Sequence, residues 1–306
     1  MPPSAEFLEL VAKYPPLLAI GNTPMARLDL PMDLGGVEIY AKFEHLNPGG
    51  SIKDRPVLRM LVEAILSGEL TPDKRILDAT SGNAGIAYAM IGATLGFGVT
   101  LVMPENASEE RKRRVRAHGA EMLFTDPMLG YDETMMEVRR VYERDPARYF
   151  FCDQYSNLNN PRAHYETTAE EILTQVPEIT HFVAGVGTGG TISGVGRRLK
   201  EVSTSIQVVG INPPEWPGME GLKPLGDDHV VPDTFDESVV DRMILADVDE
   251  ARKMSHVMAS KGIFAGQSSG GYVMGAYEVA MGLESGKVVT VLNDIGERYF
   301  STGMWD

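Results

Sequence analysis

The chain has 306 residues, 43% of them hydrophobic and 23% charged. That is long enough for two α/β domains, because a single hydrophobic core stops growing near roughly 250 to 300 residues. Its 28 basic and 43 acidic residues give a net charge of −15, which repels a nucleic-acid backbone and an anionic membrane surface alike, so neither is expected as a partner. Met1-Pro2-Pro3-Ser4-Ala5-Glu6 lacks the basic and apolar regions of a signal peptide, and a cytoplasmic location is expected. The single cysteine, Cys152, has no partner for a disulfide or a metal site; it is expected to be a small buried residue, and no metal is expected.

Short apolar runs are predicted as strands at Val37-Tyr40, Arg75-Ala79, Val99-Met103, Glu121-Phe124, His181-Ala184, Gln207-Ile211 and Val288-Leu292. Helical patterns separate them, which predicts βα units and a mainly parallel sheet. Between the first two runs, Leu58, Leu61, Val62 and Ile65 have the spacing of a helix with one buried face over Pro56 to Leu66. Ala87 to Met103 is the most apolar long stretch; glycines at 92, 96 and 98 interrupt it, so it reads as a core helix feeding a buried strand and not as a membrane span. Asn106 and Glu109 have capping-box spacing, and the basic run Arg111-Lys112-Arg113-Arg114 with Arg116 is predicted to be a solvated helix face. No linker marks a domain boundary.

Ligands of parallel sheets bind outside the carboxyl ends of the strands, which directs attention to three loops. In Asn47-Pro48-Gly49-Gly50-Ser51-Ile52-Lys53-Asp54-Arg55, a lysine stands at a helix start, where positive charge is disfavoured. Forming an imine with a cofactor aldehyde removes that objection; alone, the loop is equally consistent with a surface lysine paired to Asp54. Thr80-Ser81-Gly82-Asn83-Ala84-Gly85 offers small donors suited to a carboxylate, although a capped turn explains it as well. Gly185-Val186-Gly187-Thr188-Gly189-Gly190-Thr191 lies between a strand and a helix and predicts an anion site at the helix N-terminus. It also fits the dinucleotide fingerprint, but the next strand ends in Asn212-Pro213-Pro214 with no acid in place, so a single phosphomonoester fits better.

Together, in this order, the three loops resemble those of the cysteine synthase and cystathionine β-synthase family of pyridoxal-phosphate (PLP) enzymes, fold type II. Supporting segments span nearly the whole chain: Gly21-Asn22-Thr23-Pro24, Met103-Pro104-Glu105-Asn106, Asn159-Asn160-Pro161, Gly262-Ile263-Phe264-Ala265-Gly266 and Gly296-Glu297-Arg298-Tyr299. Gly218-Met219-Glu220-Gly221-Leu222-Lys223 and the ending Arg298-Tyr299-Phe300-Ser301-Thr302-Gly303 bring it nearest to the type B cysteine synthases, the O-acetylserine sulfhydrylases.

The resemblance implies two three-layer α/β domains with mainly parallel twisted sheets and PLP in the cleft between them. The smaller would comprise residues 46–153, and the larger 1–45 plus 154–306, with no C-terminal regulatory domain. It implies Lys53 as the Schiff-base lysine and catalytic base. Asn83 would bond the cofactor's 3′ oxygen, Gly187, Thr188, Gly189, Gly190 and Thr191 its phosphate, and Asp294 would face its ring nitrogen. Thr80, Ser81, Gly82, Asn83 and Gln154 would receive the substrate carboxylate. Ala84 stands where the family usually has threonine, which removes one hydroxyl from that loop.

The implied reaction is β-replacement of O-acetylserine with sulfide through an aminoacrylate, giving cysteine. Alternatives are an O-phosphoserine sulfhydrylase, a cystathionine β-synthase or serine dehydratase of the same fold, and a PLP-binding protein with weak turnover. The segment expected to close over the site, Pro217 to Pro232, carries Lys223 but no arginine, and adds Glu220, Asp227 and Asp228; this disfavours a dianionic phosphate leaving group. A homodimer is expected, with the segment before Gly21 as a candidate for crossing between subunits.

Overall fold

A computed structural model describes residues 2–31, 33–215, 218–225 and 231–306. Of the predicted closing segment, Pro217, Asp227 and Asp228 lie outside the described residues. The strands are β1 (Met25–Arg27), β2 (Gly36–Lys42), β3 (Arg75–Ala79), β4 (Val99–Pro104), β5 (Glu121–Thr125), β6 (Tyr149–Phe151), β7 (His181–Gly185), β8 (Gln207–Asn212), β9 (Arg242–Leu245) and β10 (Ser285–Val291). They form two sheets, ordered β1-β2-β10-β7-β8-β9 and β5-β4-β3-β6. Every pairing is parallel except β1 with β2.

Side chains that alternate along a strand face opposite layers, and the smaller sheet shows this directly. Ile76 and Leu101 join a core shared with the helices Asp54–Ser67 and Asn83–Leu95. Their neighbours Leu77 and Val102 join another, with Val138 and Val141 of the helix Gly130–Arg144. In the larger sheet the central strands β7 and β10 are runs of fully buried residues, Phe182-Val183-Ala184 and Val288-Val289, as expected of parallel strands covered on both faces. This is the two-domain α/β architecture the sequence implied. The N-terminal helix Ala5–Ala12, within the segment expected to accompany the larger domain, lays Phe7 and Val11 into the smaller core, followed by Leu17.

The helix Asp54–Ser67 departs from its expected single buried face, since every residue from Asp54 to Val62 is buried. Its buried arginines are tolerated because they are paired. Arg55 Nε and Nη2 each donate 2.7 Å to the Glu44 carboxylate, while Nη1 and Nη2 reach Glu171 at 2.6 and 2.7 Å. Lys42 Nζ lies 2.7 Å from the same Glu171, and Thr23 Oγ1 donates to Glu44 at 2.6 Å. Burial alone would raise the Glu44 carboxyl; Arg55, Thr23 and Lys42 hold it below the usual range. The Gly21-Asn22-Thr23-Pro24 segment is thus tied to the helix that begins after Lys53.

Candidate active site

The loop before Lys53 is fixed to the end of β10. Ser51 and Asp294 form an antiparallel bridge, Ile52 N donates 2.8 Å to Asn293 O, and Ile295 N donates 3.3 Å to Gly50 O. Asp54 reinforces the turn by accepting from Gly49 N at 2.5 Å, so it is not the partner of Lys53. The lysine stands half-buried just before the helix and projects into a cavity of about 650 Å³. Burial brings its amine down to about 8, against the opposing pull of the Asp294 charge. A surface lysine has neither property.

The same cavity is lined by Thr80, Ser81, Gly82, Asn83, Gln154, Gly187, Thr188, Gly189, Thr191 and Lys223. The loops that follow β3 and β7 therefore meet the lysine loop. Gly189, at φ +84°, caps the helix Gly190–Val202, whose first N–H groups have no partner within the helix. A Cβ on Gly187 would stand 2.5 Å from Gly221 O, so glycine there lets residues 218–225 cross close to the loop. Gly190 is not on the wall; a Cβ there would fall 2.0 Å from Asn160 Oδ1. Asn160 Nδ2 in turn donates to Thr188 Oγ1 at 3.0 Å, and Thr191 Oγ1 lies 3.2 Å from His164 Nε2. Burial, then the charges of Lys53 and Arg55, hold His164 well below its ordinary value, leaving the imidazole neutral.

The loop after β3 is organised from within. Thr80 Oγ1 accepts from Gly82 N and Gly85 N, both at 3.1 Å, which fixes the turn into the helix and commits the hydroxyl oxygen to the loop itself. Gln154 Nε2 donates 2.8 Å to Ala79 O. Asn83 Nδ2 donates 2.8 Å to Asp294 Oδ2, and Asn83 Oδ1 accepts from Arg298 Nη1. Ala84 also lines the cavity.

The structure bears on two further expectations from the sequence. Asp294 is fully buried, and its carboxylate serves the lining residue Asn83 and, at 2.8 Å, the Tyr299 hydroxyl; its chain neighbour Asn293 lines the cavity and donates to Ser268, also on the wall. Ser268 was not expected here, although the small polar run Gln267-Ser268-Ser269-Gly270 at a helix start is the kind of signal that marks a binding loop. The basic run is also not wholly solvated. Its helix is Glu109–Ala117, with Ser108 and not Asn106 as the residue before it. Arg111 and Val115 face inward, while Arg113 and Arg116 face solvent. Arg111 belongs to the cavity wall, because the i, i+4 stripe that buries Val115 turns it inward.

The model of the family described as "Pyridoxal-phosphate dependent enzyme" matches residues 16–294. The chain belongs to that family. A cysteine synthase of Aquifex aeolicus is 45% identical over 302 residues, covering 94% of this chain and 91% of the relative. Cysteine synthase B of Salmonella typhimurium is 40% identical over 288 residues, 94% of each chain. Among solved structures, that of an O-ureido-L-serine synthase superposes with a TM-score of 0.89 at 35% identity, covering 95% of this chain and 94% of the other. The chain is a PLP-dependent enzyme related to the cysteine synthases.

The residues fit the cofactor of this family. An amine brought down to about 8 shares one cavity with a glycine loop at a helix N-terminus, the arrangement that receives a phosphate. Among the described residues no cluster of His, Cys, Asp or Glu could hold a metal ion, and no helix is long and apolar enough to cross a membrane. Cys152 is buried and free, away from the cavity wall.

Proposed function

We propose that this enzyme makes L-cysteine by replacing the acetyl group of O-acetylserine with sulfide. The observation that carries the proposal is Lys53, an amine with a lowered pKa facing the Gly187–Thr191 loop across one cavity. When bound, PLP supplies an electron sink that makes an amino acid's α-proton removable and its β-substituent expellable. Lys53 Nζ holds the cofactor and then takes the α-proton; a pKa of about 8 suits a base working near neutral pH. Gly187, Thr188, Gly189 and Thr191 hold the phosphate, with Gly190 packed behind them against Asn160. Asn83 keeps one amide N–H for the cofactor oxygen after Asp294 has taken the other. Ser81, Gln154 and the first N–H groups of the helix Asn83–Leu95 receive the substrate carboxylate. Separate cores support taking 46–153 as the smaller domain, with the helix Ala5–Ala12 packed onto it.

The leaving group is proposed from charge. Among the described residues Lys223 Nζ is buried without a hydrogen bond, 4.0 Å from Asp132 Oδ1, and Arg111 is paired with Glu220. Cations and anions thus balance in the cavity, which disfavours a dianionic phosphate ester. The name of the O-ureido-L-serine synthase keeps a different nucleophile as the second reading. Kinetics with O-acetylserine and O-phosphoserine, each with sulfide, test the choice. O-acetylserine is expected to have the higher kcat/KM; preference for the phosphate ester, lost in Lys223→Ala, would reverse it.

A further inference from the structure

We propose that Arg111 is the countercharge for the substrate's α-carboxylate, and that Glu220 stands in for that carboxylate until substrate enters. The inference rests on the reading of the cavity as an amino-acid site and adds the residue that recognises the acid.

Arg111 has 1% relative exposure, yet its side chain lines the cavity. Nε has no hydrogen-bond partner among the described residues, and Nη1 has only the ion pair with Glu220. Leaving buried guanidinium nitrogens unbonded is costly, and removing a charge from water is costlier still. Such an arrangement persists where a ligand completes it. The charges near the guanidinium do not complete it: Asp294 Oδ2 is 3.9 Å from Nη2, beyond hydrogen-bonding distance, and already serves Asn83 and Tyr299. The Tyr299 ring covers one side, with its centroid 5.0 Å from Cζ. Glu220 Oε1 is the ion-pair partner of Nη1, which leaves Nε without an acceptor.

The position of Arg111 identifies which anion it meets. A Cβ built on Gly82 would lie 3.4 Å from Arg111 Nε and 3.6 Å from Cζ, so the missing side chain at Gly82 leaves the guanidinium open beside the Thr80–Asn83 loop. That loop offers hydrogen-bond donors but no positive charge. Thr80 Oγ1 accepts from Gly82 and Gly85, Asn83 gives one amide N–H to Asp294, and residue 84 is an alanine. A carboxylate arriving at the loop therefore finds its charge partner in Arg111, whose planar fork matches the two oxygens of an acid. Glu220, on residues 218–225 and one-third exposed, can turn to solvent as substrate takes its place.

The test uses holoenzyme and reads equilibrium binding from the cofactor's visible absorbance, titrating L-serine against L-serinamide, which differ only in the carboxylate. Wild type should favour serine, and Arg111→Met should reduce that preference by roughly ten- to hundredfold, the range for hydrogen bonds to a charged group. Glu220→Gln removes the competitor and should tighten serine binding by roughly two- to fivefold, as expected for a partly exposed ion pair. A purely structural Arg111–Glu220 pair predicts the reverse sign for Glu220→Gln. An unchanged serine-over-serinamide ratio in Arg111→Met, with wild type responding normally, overturns the proposal alone. Absence of any wild-type response to serine overturns the reading of the cavity together with it.

Discussion

The side-chain amide of Asn83 donates 2.8 Å to the carboxylate of Asp294, joining the helix that follows β3 in one sheet to the end of β10 in the other. Asp294 also accepts from Tyr299 and bridges Ser51 through its backbone. One buried acid therefore ties together the lysine loop, the loop after β3 and the C-terminal segment.

Replacing Asp294 by alanine orphans the Asn83 and Tyr299 donors at once. Each unsatisfied buried group costs about 1–3 kcal/mol, so the variant should lose several kcal/mol in chemical denaturation. Asp294→Asn retains an acceptor for Tyr299 and should lose less. Equal stability of the alanine variant and wild type would mean that these bonds do not hold the two sheets in register.

The same carboxylate raises the Lys53 pKa against the larger effect of burial, which leaves the amine at about 8. Only the neutral amine attacks an aldehyde, so covalent capture of PLP by the apoprotein should accelerate with pH and reach half its limit near 8. In Asp294→Asn the opposing charge is gone, and the midpoint should move lower. Stopped-flow absorbance across pH gives both values. A wild-type rate still climbing beyond pH 10 would show that burial does not depress the amine.

Much of this site was legible before any coordinates, because its loops are short, contiguous and rich in glycine at strand ends. The seven predicted strands all form. The three that were missed, β1, β6 and β9, lie at sheet edges. They are only three or four residues long, and β1 and β9 are mostly exposed, so they carry little of the apolar run that betrays a central strand. Arg111 was misjudged for a different reason. Charge reads as solvent exposure unless its partner is known, and the partner of Arg111, Glu220, lies far away in sequence.

Asp54 provides a stability test whose sign follows from linkage. Burial raises its carboxyl to about 7, so the folded state holds a proton that the unfolded chain releases near its ordinary 3.8. The contribution is fully present below that lower value and is lost as pH rises through the higher one. Thermal midpoints of wild type should therefore decline from pH 5 to 7 more steeply than those of Asp54→Asn. Parallel curves would place the Asp54 pKa in its ordinary range.

Restoring a hydroxyl with Ala84→Thr addresses the depleted donor set of the loop after β3. Ala84 lines the cavity, and one added hydrogen bond is worth about 0.5–1.5 kcal/mol. Amino-acid titrations should show correspondingly tighter binding. Weaker binding would mean that the extra atoms are accommodated by displacing the substrate.

The account as a whole depends on Lys53 being the residue that carries the cofactor. Borohydride reduction of the holoenzyme followed by peptide mapping tests it most directly. The pyridoxyl label should be found on the peptide containing Lys53 and be absent after Lys53→Ala; label on another lysine, or none, would contradict it.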